Sequence, residues 1–412
     1  MSLIRFVHHM QFNCHDVWNT FQLFNQGFGY KFLCLSKHGN SLNLVVKNGP
    51  SVLMLSSNGP IVSGANTNRY ARELSHRYLR LPGLFDVAFE VKDVYRACDR
   101  VRALYGPEHI LVEPTVQSDY HGKVVIAVVR STTGECLHTL LDTSHYKGIF
   151  LPGFFVPELG ILSEIQSRIN QISRSFTGHS IVTHLDHIAL AYDTGGSVAA
   201  ADWFEKVFGM ERTLSNPLDD LKEGFVVQYN STGMRLIALN SLSPEADFQS
   251  CKFVLVEPLE GSTPNQITRF LAANQGPGVQ HLALGVNDIF QAVSECHAGG
   301  IQFIDPPSEY YDQLFSSNDW STISVPEDKL RASGVLLDTE VMDSSGNKNY
   351  NSGDAYILQI FTSSLFQPSG FFMELIERHA GATGFGNGNI TALWKAVESA
   401  SKSPDRHCKR SP

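Results

Sequence analysis

Three residues far apart in the chain have the types and surroundings to do chemistry together: His187, His281 and Glu374. Each stands in a short segment that alternates apolar and polar residues as a strand does: Thr183-His-Leu-Asp-His187-Ile-Ala-Leu190, Gly278-Val-Gln-His281-Leu-Ala-Leu284 and Gly370-Phe-Phe-Met-Glu374-Leu-Ile-Glu-Arg378. Their spacings are almost equal and far too long for one helix or hairpin. Neighbouring strands of a cup, with side chains pointing inward, would bring them together. Two imidazoles and one carboxylate on one side of a metal leave three positions open. That arrangement suits Fe(II), which needs room for a chelating substrate and for O2. The bland alternative is that each histidine is a hydrogen-bonded core or surface residue, and with 16 histidines in the chain a pair alone says little. Two features favour the metal. Asp186 and Glu374 are carboxylates in otherwise apolar strands, where burial demands a counter-charge or a metal. The two histidines also stand at the same place in segments that recur.

The recurrence defines the elements that must position them. Phe6-Val-His-His9-Met-Gln-Phe12 near the start matches the segment around His187. Each is followed by a helix-like stretch and a Gly-aromatic turn, Asn25-Gln-Gly-Phe-Gly29-Tyr-Lys31 and Lys206-Val-Phe-Gly209-Met-Glu211. Phe85-Asp-Val-Ala-Phe-Glu-Val-Lys-Asp-Val94 matches Gln280-His-Leu-Ala-Leu-Gly-Val-Asn-Asp-Ile289. In both, the closing Asp (Asp93, Asp288) is placed to cap the next helix, its oxygen accepting the free amide protons of the first turn. Two matches in the same order mean a duplication. The expected class is α+β: two tandem modules, each of paired βαβββ units forming an open cup-shaped sheet with helices outside. The expected divisions are an N-terminal module over 1–155, a linker helix in 156–182, a catalytic module over 183–382, a C-terminal lid helix over 383–401 and a disordered basic tail over 402–412. In the first module the counterparts of His187 and His281 are His9 and Asp86, and the third position falls near His138. The first module is read as a metal-free copy, its polar residues satisfied locally, since a shared fold does not imply a shared site.

The 412 residues are 42% hydrophobic and 18% charged, enough apolar material for a large core. The net charge is −9 and no block of Lys and Arg interleaves with aromatics, so nucleic acid is not expected as a partner. Seven scattered cysteines without a CxxC pair read as reduced thiols. No apolar run reaches the ~18 residues of a membrane span. The first residues, Met1 to Phe12, do not read as a secretory signal, and with Arg5 the sole basic residue among them they make a poor mitochondrial presequence.

Taken together, the segments around His281 and Glu374, with Tyr356-Ile-Leu-Gln-Ile-Phe-Thr362, Pro306-Pro-Ser-Glu-Tyr-Tyr311, Gly334-Val-Leu-Leu-Asp338 and Gly384-Phe-Gly-Asn-Gly-Asn389, strongly resemble the 4-hydroxyphenylpyruvate dioxygenase family of the vicinal oxygen chelate superfamily. The likeness covers 181–400 well and the first half in outline. It implies that His187, His281 and Glu374 hold Fe(II), and that Gln266, Gln359, Phe361, Phe372, Phe385 and Asn389 line a pocket for an aryl 2-keto acid. Gln359 and Phe361 alternate on one strand and so can both face inward. Phe361 and Phe372 can flank an aromatic ring, although plain core packing explains any single Phe as well.

The sequence also departs from the homogentisate-forming members. Leu236 and Val256 stand where those have Ser and Asn, and Ile390 stands where they have Phe. The run Ala382-Thr-Gly-Phe-Gly-Asn-Gly-Asn-Ile-Thr-Ala-Leu-Trp394 is similar to the animal branch called 4-hydroxyphenylpyruvate dioxygenase-like, which implies 4-hydroxymandelate formation, mitochondria and ubiquinone head-group supply. A homodimer is implied by the resemblance alone. The expected reaction is oxidative decarboxylation of the keto acid, followed by hydroxylation at the benzylic carbon to a mandelate. Hydroxylation of the ring would give homogentisate instead. Ring position in the pocket decides between them, and the C-terminal helix would close over the metal and exclude water. The other readings are an extradiol ring-cleaving enzyme, which would want a base not evident here, and a binding or regulatory protein that keeps the metal without turnover.

Overall fold

Alternating apolar residues with hairpin turns between them form strands, and in each of four units a helix follows the first strand, with helices Ser308–Ser317 and Glu327–Ser333 added in the fourth and Gln266–Asn274 leading into it. The computed structural model describes residues 2–38, 41–57, 78–157, 163–175, 181–214, 220–241, 251–317, 325–339, 355–390 and 392–393. The first unit runs β1 (Ile4–Asn13), helix Val17–Phe28, β2 (Lys31–His38), β3 (Ser41–Asn48) and β4 (Ser51–Ser56). The second runs β5 (Gly83–Val91), helix Val94–Tyr105, β6 (Ile110–Asp119), β7 (Gly122–Arg130) and β8 (Leu137–Asp142). The third comprises β9 (Val182–Ala191), helix Gly196–Phe208, β10 (Glu211–Thr213), β11 (Phe225–Tyr229), β12 (Thr232–Asn240) and β13 (Lys252–Pro258). The fourth comprises β14 (Gly278–Val286), helix Ile289–Ala298, β15 (Leu336–Asp338), β16 (Tyr356–Phe361) and β17 (Phe372–His379).

In each unit the helix carries the chain back so that the first strand pairs in parallel with the last: β1 with β4, β5 with β8, β9 with β13, β14 with β17. Two units then join antiparallel through their first strands. The sheet orders are β2-β3-β4-β1-β5-β8-β7-β6 and β10-β12-β13-β9-β14-β17-β16-β15, with β11 on β12. These are the paired βαβββ modules of an α+β protein. The capping expectation holds: Asp93 Oδ1 accepts from Arg96 N at 2.9 Å and Asp288 Oδ1 from Gln291 N at 2.9 Å. Gly29 and Gly209 end their helices in left-handed conformation, φ 72° and 69°, as the Gly-aromatic turns require.

The helices pack on the outer faces of the cups and against one another across the modules. A Cβ on Gly299 would lie 2.0 Å from Gln26 O, so only glycine permits this approach. Arg100 Nη1 donates to Val207 O at 3.1 Å, and Leu3 N to Phe208 O at 2.7 Å. Trp203, Phe204, Phe208, Phe89 and Phe253 fill the seam, all fully buried. A helix at Ser163–Ser175 falls inside the linker span. Helical residues begin at 387 in the lid span and are described to 393, apart from 391; the rest of the lid and the tail lie outside the described residues.

The first module corrects one expectation. Asp86 pairs with Leu137 where His281 pairs with Phe372, so the counterpart of Glu374 is Thr139, two residues on, and not His138. One residue of offset turns a strand side chain to the other face. His138 stacks on Phe89 (5.0 Å) and Trp203 (5.5 Å) in the seam, near Glu135 and Cys136, and burial pushes its imidazole down to about 3. On the cup face, Asp86 accepts from Thr139 Oγ1 (2.5 Å), Thr139 N (3.0 Å) and Gln11 Nε2 (3.3 Å). His9 lies against Phe150, with ring centres 4.9 Å apart.

Burial raises the Asp86 carboxyl to about 6, against a lowering by Thr139. The folded state therefore keeps this proton to higher pH than the unfolded chain. Its contribution is whole below pH 4 and is lost as pH rises through 6, a fall of about 3 kcal/mol. Asp86→Asn keeps the shape without the charge. Its urea midpoint should exceed the wild type's at pH 8, and the gap should narrow to less than half by pH 4.5. A less stable variant at pH 8 would refute this account.

Candidate metal centre

β9, β14 and β17 are adjacent at the middle of the second sheet. Ala283 pairs with His187 on one side and with Glu374 on the other. His281, two residues before Ala283, shares its face. The methyl of Ala283 leaves space over which the three longer side chains converge. His187 Nε2 lies 3.4 Å from Glu374 Oε2, and His281 Nε2 lies 3.2 Å from the same oxygen. One ligand atom from each lies within 4.8 Å of the others, and all three residues are buried.

Each histidine is aimed by the residue before it. The β9–β14 register shifts at Asp186 and at Gln280, leaving each as an extra residue in its strand. Such bulges redirect a side chain that regular pleating would send to the other face. Asp186 Oδ1 is 2.9 Å from His187 Nδ1, and Gln280 Oε1 is 3.3 Å from His281 Nδ1. An acceptor at Nδ1 places the proton there and leaves Nε2 bare for a metal.

The site's electrostatics agree. Burial works to lower the His187 imidazole, but the charges of Glu374 and Asp186 outweigh it and raise it. Burial lowers His281. Burial also opposes ionisation of Glu374, yet the two histidines hold it below the ordinary carboxylate range. Glu374 Oε1 and His281 Nε2 are buried with no hydrogen bond of good geometry. Unsatisfied groups of this kind cost about 1–3 kcal/mol each. A cation between them would satisfy both, so the residues fit a metal of the two-His, one-carboxylate type.

The ligands open into a cavity of about 740 Å³. Every residue expected to line the pocket borders it: Leu236, Val256, Gln266, Gln359, Phe361, Phe372, Phe385, Asn389 and Ile390. Leu236 and Val256 are directly opposite across β12 and β13. Phe385 and Ile390 pack against the same apolar cluster. Phe372 stacks on His281 at 4.7 Å and meets Phe361 edge-on at 6.0 Å. Asn389 Oδ1 accepts from Tyr310 OH at 2.7 Å. Gly386 adopts φ +76°, which an L side chain rarely takes, and a Cβ there would displace the end of the Gln359 side chain.

Sequence reasoning missed three neighbours. Arg269 borders the cavity one helical turn after Gln266, a spacing that put both on one face. Tyr310, which bonds Asn389, lay in a segment quoted only for its resemblance. Arg378 is the charge partner that Asp186 demanded, with Nε 2.7 Å from Asp186 Oδ2.

Such a fold and site define a vicinal-oxygen-chelate protein. The profile of the Glyoxalase/Bleomycin resistance protein/Dioxygenase superfamily matches residues 184–329. The chain is 32% identical over 376 residues to the 4-hydroxyphenylpyruvate dioxygenase-like protein of Rattus norvegicus, covering 90% of each. It is 31% identical over 319 residues to the 4-hydroxyphenylpyruvate dioxygenase of Dictyostelium discoideum, covering 77% of each. A solved triple mutant of 4-hydroxymandelate synthase from Streptomyces coelicolor shares the fold, with a TM-score of 0.70 at 24% identity over 98% of this chain and 100% of that one. The chain belongs to the 4-hydroxyphenylpyruvate dioxygenase family, and is an oxygenase by that membership. Among the described residues no helix is long and apolar enough to cross a membrane.

Removing the carboxylate should dismantle the centre. Glu374→Ala is expected to weaken Fe(II) binding by at least about a hundredfold in anaerobic equilibrium dialysis, beyond the loss typical of an outer partner. Wild-type affinity in that variant would sink the ligand assignment.

Proposed function

We propose that this protein is an Fe(II)-dependent dioxygenase that converts 4-hydroxyphenylpyruvate and O2 to 4-hydroxymandelate and CO2. The observation that carries the reading is the His187–His281–Glu374 cluster at the head of a cavity with one apolar wall. Fe(II) held there would bind O2 and mediate its reduction by the two electrons that the keto acid gives up on decarboxylation. One oxygen atom ends in the new carboxylate and the other replaces benzylic C–H by C–OH. The C1 carboxyl leaves as CO2, so atoms balance.

The chain's own residues set where the second oxygen goes. Phe361 and Phe372 flank the aryl ring. Gln266, beside Met234, together with Gln359 and Asn389, offers polar atoms to the rest of the substrate. Leu236 and Val256, with Ile390, give the ring's hydroxyl nothing to bond, so the ring is not drawn toward that wall and the benzylic carbon stays nearest the oxidant. Phe385 lies 5.0 Å from His187, edge to face, and keeps bulk water from the metal side.

The first test is incubation with Fe(II), ascorbate, O2 and 4-hydroxyphenylpyruvate, with the product identified by mass and retention. Hydroxymandelate is expected. Homogentisate would keep the centre and reject the steering argument, and no product with iron bound would reject this substrate. Restoring polarity with Leu236→Ser and Val256→Asn together should raise the ring-hydroxylated fraction of the product, and an unchanged product ratio would remove these residues from the steering role.

A further inference from the structure

Arg378 joins two parts of the protein that the reaction needs in register. It lies on β17, four residues past Glu374 and on the same face. Nε and Nη2 fork onto Asp186 at 2.7 Å each. Asp186 Oδ1 in turn faces His187 Nδ1 at 2.9 Å. The remaining arm, Nη1, donates to Gly384 O at 2.8 Å and Ala382 O at 3.3 Å, at the start of the segment that closes the cavity. The guanidinium carbon stands 5.7 Å from the centre of the Phe385 ring, and that ring contacts His187. The contacts form a closed circuit: Arg378, Asp186, His187, Phe385 and back.

We propose that Arg378 is a positioning residue that couples seating of the 382–390 segment to the aim of His187 at the metal. This rests on the metal reading given above. Asp186 is fully buried, so its charge depends on the fork. With the segment seated, the two carbonyls hold the guanidinium plane and the fork is rigid. With the segment away, Arg378 loses two acceptors and its aromatic cover, and the hold on Asp186 and His187 slackens. The coupling runs both ways by linkage: a metal on Nε2 strengthens the Nδ1–H donor, which tightens Asp186 on Arg378 and Arg378 on the segment. Lysine carries the charge but has no planar fork with an arm to spare.

The test uses the full chain with Co(II) alone as probe. Affinity is read from visible absorption and segment seating from amide hydrogen exchange of peptides spanning 382–390. In the wild type, saturating Co(II) should slow that exchange by about fivefold or more, the scale of ordinary coupling between sites. In Arg378→Lys, Co(II) should bind roughly tenfold more weakly, and at saturation the slowing should fall below about twofold. Asp186→Asn, which keeps shape and an acceptor for His187, should also lose the slowing and carries the test if the lysine variant does not fold. A purely structural anchor would raise exchange equally with and without Co(II). Full slowing in a metal-saturated variant, or none in the wild type, overturns the coupling alone. A wild type that binds no Co(II) overturns the metal reading and the coupling with it.

Discussion

A carboxylate and two imidazoles must meet inside an apolar cup, and the rest of the structure is arranged around that constraint. Three neighbouring strands supply them in one row, with a methyl at Ala283 where a larger side chain would fill the space. Regular pleating would point Asp186 and Gln280 away from the histidines they precede. One bulge on β9 and one on β14 bring both back, so each histidine carries its own acceptor. Asp186 then needs a cation, which Arg378 supplies from β17. The metal-side geometry thus fixes polar partners on all three strands and reaches the segment that closes the cavity.

The duplicated frame shows what the constraint requires by omitting it. The first module keeps a bulge at His8 and the same row, which reads His9, Ala88 and Thr139, with Asp86 in the place of His281. A hydroxyl in place of Glu374 contributes no charge. Asp86 spends its oxygens on Thr139 and Gln11, and Phe150 lies against His9. The same strands that gather ligands in one module therefore gather a locally satisfied polar cluster in the other. The fold supplies positions, and residue type decides whether they make a centre.

Much of this was legible in the sequence. Period-two alternation marked the strands, the repeated Asp after a strand marked helix starts at Asp93 and Asp288, and the internal repeat gave two modules. The ligand set followed because His187 and His281 stand at matching places in recurring strands and Glu374 puts a carboxylate in an apolar one. What failed did so for reasons of register and range. Counting along one strand puts the first module's third position near His138 but cannot fix pairing, and one residue of slip exchanges the faces. Asp186 was seen to need a partner, but Arg378 stands 192 residues away at a strand end, where Glu-Arg reads as a solvated pair. The bulges fall at the adjacent polar pairs Asp186-His187 and Gln280-His281, where the alternation is interrupted without saying which residue is extra.

The cavity has both polar and apolar lining, and three of its apolar residues belong together. Leu236 and Val256 face each other across two strands, and Ile390 comes from the closing segment to the same cluster. A single change of this kind would leave a lone methyl among polar groups. Leu236 and Val256, directly opposite each other, leave no polar partner on either strand at that wall, and Ile390 adds further apolar surface to it. A ring hydroxyl entering such a wall would lose its hydrogen bonds to water without replacement, at a cost of about 1–3 kcal/mol. On the proposed reading, that is enough to shift the ring's resting position by one to two orders of magnitude in population, and its position relative to the metal would select the carbon that reacts.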